Sequence, residues 1–183
     1  PEKIWEEYER GVSYNTELGL YDTVRQNENF FIGKQWEGVL APDLDKPTFN
    51  ILKRVVSYFI STIASDDVSA QVSAFGDETP STEALLRAVS SEFDRVIENN
   101  RLKAKNRDCI RDAAVDGDAC LYIWYDPDRA QGSFSTGEIV AEVIENTNVY
   151  FGNPQVEDIQ RQPSILIARR VMLEEARKES QIQ

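Results

Sequence analysis

Apolar residues Ile51, Leu52, Val55, Val56, Phe59, Ile60 and Ile63 fall three and four positions apart, the spacing that gathers side chains on one side of a helix. Pro47 offers a fixed φ near the start of this helix. Its many β-branched residues give it only modest intrinsic propensity, so it is expected to owe its stability to burying a wide apolar face. A second helix is marked by Thr79-Pro80-Ser81-Thr82-Glu83, with Thr79 or Ser81 as cap, Pro80 in the first turn and an acid near the positive end of the dipole. Leu85, Leu86, Val89, Phe93, Val96 and Ile97 form its expected buried stripe. Asn99-Asn100 breaks the pattern. Leu102, Asn106, Cys109, Ile110 and Ala113 then share one face of a third helix, which Gly117 is placed to end.

Upstream, Ile4, Trp5, Tyr8, Leu18, Tyr21 and Val24 alternate with acids in an imperfect helical spacing interrupted around Gly11 to Asn15. Two short helices or one broken helix are expected there. Phe30 to Lys46 carries Gly33, Gly38, Pro42 and two Asp residues, which favour an irregular loop with aromatic anchors. Val68, Ala70, Val72, Ala74 and Phe75 alternate enough to suggest a short strand.

Downstream, the apolar and aromatic run Ala119 to Asp126 and the series Ile139, Ala141, Val143, with Glu138 and Glu142 interleaved, flank a turn-rich segment from Pro127 to Gly137. That is a β-hairpin pattern. Asn146 to Gln162 is rich in turn residues, Ser164 to Arg170 reads as a further strand, and a helix is expected from Val171. Helical blocks followed by antiparallel strands define an α+β fold. Residues 1–46 hold the first helices and the aromatic loop, 47–118 a helical block, 119–170 a β-rich part and 171–183 the start of another helix. No internal repeat or low-complexity segment interrupts this order.

Composition narrows the function. With 183 residues and 41% hydrophobic content the chain can bury a core. A net charge of -12 and a pI near 4.5 disfavour tight nucleic-acid binding, which rests on neutralising phosphates with Lys and Arg. Cys109 and Cys120 give neither a disulfide framework nor metal-ligand spacing, and no long apolar run appears, so an intracellular, soluble protein is expected. The start at Pro1 and the stop soon after the charged run Leu173 to Lys178 lead us to expect a piece of a longer protein.

Histidine is absent, which removes the usual general base near neutral pH and excludes Ser-His and Cys-His nucleophile schemes. The carboxylates Asp112, Asp116 and Asp118, with Asp126 and Asp128 beyond the strand, are the candidate metal cluster for phosphoryl transfer. Their spacing fits no EF-hand loop, and helix termination at Gly117 between two solvated acids accounts for them more simply. Glu142 and Glu145 read as a solvent face. Gly33 and Gly38 follow no strand and precede no Gly-Lys-Ser/Thr, so no nucleotide loop is formed. Trp5, Trp36, Trp124, Phe30, Phe31, Tyr122 and Tyr125 lack the positive groove of a single-strand stacking platform and read as core and loop anchors. Arg101, Lys103, Lys105, Arg107 and Arg111 form one basic run. In so acidic a chain it is a candidate subunit interface, with a solvated helix face as its plain alternative and a nucleic-acid contact as the reading least favoured.

The stretch Asn29-Phe30-Phe31-Ile32-Gly33-Lys34-Gln35-Trp36-Glu37-Gly38, followed by Pro47-Thr48-Phe49-Asn50 and a long apolar helix, resembles the opening of bacteriophage portal (head-tail connector) proteins. The residues that carry the likeness are Phe31, Gly33, Gln35, Trp36, Pro47 and Asn50, joined downstream by Gly117 between a helix and the aromatic strand Leu121-Tyr122-Ile123-Trp124-Tyr125. It spans Tyr21 to Arg170 and corresponds to the amino-terminal wing region, so residues 1–183 would form a single wing-like domain, with stem and clip regions beyond them. The short acidic run between Trp36 and Pro47 departs from the family pattern. What the resemblance implies is a structural subunit of the virion without an active site or cofactor, assembling in the bacterial cytoplasm into a ring of commonly about twelve copies. Such a ring occupies the portal vertex of the capsid, docks terminase and binds capsid, scaffold and head-completion proteins. It conducts double-stranded DNA during packaging and ejection without sequence-specific binding.

Overall fold

The computed structural model describes residues 2–64, 72–73, 79–127, 129, 137–174 and 176–177. Among them the chain forms five helices and two antiparallel sheets of two strands each, the α+β class expected from the pattern. It divides into two units, one of residues 1–23 with 145–183 and one of residues 24–144. The strand expected at Val68 to Phe75 lies outside the described residues but for Val72 and Ser73, as do most of the hairpin turn and the end of the last helix.

In the first unit, α1 (Glu2–Glu17) runs unbroken through Gly11 and Asn15, so the expected interruption there does not occur. The break falls instead at Leu18 and Gly19, where Gly19 takes a φ of 67° before α2 (Leu20–Ile32) begins. Gly11 is small for a tertiary reason: a Cβ there would lie 2.8 Å from Cβ of Tyr150. Tyr150 belongs to β3 (Val149–Phe151), which pairs antiparallel with β4 (Ile165–Ile167). Its buried ring meets Tyr8 edge-on at 5.2 Å, and its hydroxyl lies 3.4 Å from that of Tyr21. Burial and these tyrosine neighbours hold the Tyr150 phenol well above its ordinary pKa, so it stays neutral.

In the second unit, α3 (Ile51–Ile63) is capped by Asn50, whose side chain accepts from the Lys53 amide at 3.0 Å. Pro47 lies upstream of the cap rather than in the first turn. Thr79 caps α4 (Pro80–Asn99) with Pro80 at the first helical position, as the sequence indicates. Arg101, in left-handed backbone, turns the chain into α5 (Leu102–Asp116), which Gly117 ends with a φ of 97°. Then β1 (Cys120–Asp126) pairs antiparallel with β2 (Glu138–Ile144), placing Ile123 opposite Ala141 and Tyr125 opposite Ile139.

Asn100 ties these elements together. Its buried amide donates to the carbonyls of Val96 at 3.0 Å and Ile139 at 2.7 Å and accepts from the Ala141 amide at 2.8 Å, so it serves the β2 edge as a neighbouring strand would. Lys105 Nζ donates to the next edge carbonyl, that of Ala141.

Burial departs from the pattern. In this unit the buried apolar side chains among the described residues are Val140, Ala141 and Ile144. On α3 only Val56 and Ile60 of the expected face are half-buried, while Leu52, Val55, Phe59 and Ile63 stay exposed. On α4, Leu86, Val96 and Ile97 are half-buried but Leu85, Val89 and Phe93 are exposed. On α5, Asn106 and Ala113 face solvent, whereas Lys105, Arg111, Asp112 and Asp116 are half-buried. Glu138 is buried and receives Asn99 Nδ2 at 3.2 Å, with Arg129 at 3.7 Å, while Ile139 beside it is exposed. Specific polar partners hold Lys105, Arg111, Asp112 and Glu138 inward, while the apolar stripes of α3 and α4 stay exposed.

Candidate functional site

The motif residues converge at the end of α2. Gly33, with a φ of 86°, stops the helix: its amide donates to the Phe30 carbonyl at 3.2 Å, and the Lys34 amide donates to the Asn29 carbonyl at 2.7 Å. This pair of bonds is the Schellman arrangement, in which a left-handed residue lets the last carbonyls of a helix find donors. The loop that follows folds back on the stop. Trp36 Nε1 donates to the Pro47 carbonyl at 3.0 Å, joined there by Gln35 Nε2 at 3.3 Å. Asn50 Nδ2 donates to the Phe31 carbonyl at 2.8 Å while its Oδ1 caps α3, so a single side chain serves the end of one helix and the start of the next.

The closeness is steric as well as polar, because a Cβ at Gly33 would lie 3.2 Å from Thr48 Cγ2 and 3.3 Å from Asn50 Nδ2. The Phe31 ring faces two cations, with Lys53 Nζ 5.9 Å and Arg111 Cζ 5.0 Å from its centroid. Every hydrogen-bonding motif side chain is thus spent on backbone groups. The arrangement is a structural clasp between α2 and α3, and it holds no group placed for acid-base or nucleophilic work.

The basic run divides on α5. Arg101, Lys103 and Arg107 are exposed, whereas Lys105 reaches the β2 edge and Arg111 turns inward to pair with the Glu28 carboxylate and with Asp112 Oδ1 at 2.9 Å. The five cations therefore do not form one continuous outward stripe.

Arg111 stands in the middle of an acidic group made of Glu28, Asp112, Asp116 and Asp118. Burial, then repulsion from Glu28, raises the Asp116 carboxyl from 3.8 to about 6, with Arg111 pulling the other way. Asp116 Oδ1 is buried without a hydrogen-bond partner. Asp112 is committed to Arg111, and among the described residues no three His, Cys, Asp or Glu side chains gather closely enough to hold a metal ion. Asp128, part of the candidate cluster, lies outside the described residues. Cys109 and Cys120 are both free thiols, and burial raises the pKa of each, followed by the neighbouring Asp charges. No helix among the described residues is long and apolar enough to cross a membrane.

Sequence reasoning singled out the clasp through its resemblance motif but missed Asn100, Glu28 and the seat of Tyr150 on Gly11. Asn99-Asn100 signals only a helix break, and nothing local reveals that the second amide will meet a strand 39 residues later. No protein-family model, curated protein or solved structure matches the chain.

Proposed function

We propose that this chain is the wing region of a bacteriophage portal subunit, a structural protein of the virion that builds the ring at the unique capsid vertex. On this reading it carries no active site and no cofactor. The ring formed by the complete subunit passes double-stranded DNA and presents docking surfaces to terminase and head-completion proteins. The observation that carries the reading is the clasp: Phe31, Gly33, Gln35, Trp36, Pro47 and Asn50, the residues of the portal-like motif, meet in one set of backbone bonds joining α2 to α3. A motif with a joint structural task is what a shared architecture would retain. The uncovered apolar stripes on α3 and α4 add support, since a subunit completes its burial against its neighbours. A phosphoryl-transfer role for Asp112, Asp116 and Asp118 has no comparable support, because Asp112 is held by Arg111.

Sedimentation velocity of the complete gene product containing this chain tests the reading. We expect a closed species of roughly twelve subunits. A product that remains monomeric or dimeric at high concentration overturns it.

A further inference from the structure

The second unit presents two apolar features that its own described residues leave open. One is a groove of about 590 Å³ between α4 and the outer face of the hairpin, lined by Val89, Phe93, Val96, Ile97, Ile123 and Ile139. Its polar lining is limited to Glu92 on the rim and Asn100, whose amide is already bonded to β2. A small polar ligand would find nothing there to orient it. The other feature is the stripe Leu52, Val55, Phe59 and Ile63 on α3, each residue between 46% and 55% exposed. On the same helix, which packs against α5, Val56 and Ile60 are half-buried.

Charge pairs the two features. From Ile51 to Ile63, α3 carries Lys53 and Arg54 and no acid. From Pro80 to Asn99, α4 carries Glu83, Glu92, Asp94 and Glu98 against Arg87 and Arg95, a net charge of -2 (two bases minus four acids). A basic helix with an apolar stripe therefore matches an apolar groove on an acidic helix in both hydrophobicity and sign. The need for such a match is evident from the small core of this unit, where among the described residues the hairpin alone contributes buried apolar side chains.

We propose that the groove between α4 and the hairpin receives the exposed face of α3 from a second copy of this chain. The donor and acceptor are different patches, so the contact is heterologous and runs head to tail, the arrangement that closes into a ring when its rotation permits. The proposal rests on the portal reading for its ring closure but not for the contact itself.

Photo-crosslinking of the complete gene product tests it. Phe59→p-benzoylphenylalanine protein, made as a mixture of isotopically heavy and light copies, is irradiated and digested. The expected result is mixed heavy-light adducts joining the Phe59 peptide to the peptides containing Val89 to Ile97 or Ile123. Adducts confined within one copy, or inter-copy adducts at other surfaces, overturn the proposal. Val89→Lys, at an exposed groove position, is expected to lower the mixed-adduct yield at least tenfold by setting like charges together, while Val89→Glu lowers it less. Equal losses from the two variants contradict the charge pairing. Ring-sized particles with adducts elsewhere would reject this interface and leave the portal reading standing. Groove adducts in a product that never exceeds a dimer would do the reverse.

Discussion

Asp116 sits in the last turn of α5 with one carboxylate oxygen buried and unbonded and with Glu28 as its main repulsive neighbour, so its ionisation works against the fold. Its carboxyl titrates near 6 in the folded chain against 3.8 when unfolded. Below 3.8 both states are protonated and there is no penalty. Between 3.8 and 6 the unfolded chain ionises first and stability falls; above 6 the whole penalty is present. Asp116 is only half-buried, and solvent screening trims that penalty to about 1 kcal/mol. Asp116→Asn should therefore raise the melting temperature at pH 7 by roughly 2–4 °C and leave it unchanged at pH 3.5. Melts that shift equally at both pH values would show that the charge is not the cause. The sequence marked Asp112, Asp116 and Asp118 as noteworthy through their clustering. It could not show that Arg111 and Glu28, 83 residues apart, meet beside them, because no local pattern signals a pairing over that distance.

Helix ends were the most legible elements. Thr79 before Pro80 and Gly117 after α5 act through their own backbone neighbourhoods, so their chemistry can be read without tertiary information. Gly11 was misread for the opposite reason. It resembles a helix breaker locally, yet it sits inside α1 because Tyr150 needs the space. The clasp around Gly33 belongs to both kinds, since its positive φ is local and its approach to Thr48 and Asn50 is not. This separation can be measured. Gly33→Ala and Gly38→Ala both place a side chain at positive φ, but Gly38 has no atom within 4 Å of the added Cβ. Each should lose about 1–2 kcal/mol to backbone strain, with Gly33→Ala losing about 1 kcal/mol more from crowding in the clasp. Equal losses in chemical denaturation would mean that the loop does not hold against α2 as described.

At the scale of the whole molecule, the apolar periodicity identified α3 and α4 but misjudged what their stripes face. A pattern of three and four residues records that a surface is to be covered, without recording whether the cover comes from the same chain or from another copy. Leu52, Val55 and Phe59 on α3 and Leu85, Val89 and Phe93 on α4 are exposed, and on the proposed portal reading another copy covers them. Negative-stain electron microscopy of the complete gene product tests this account most directly. Annular particles with a central channel are expected; a field of uniform, small, non-annular particles at concentrations that favour association would overturn the portal reading.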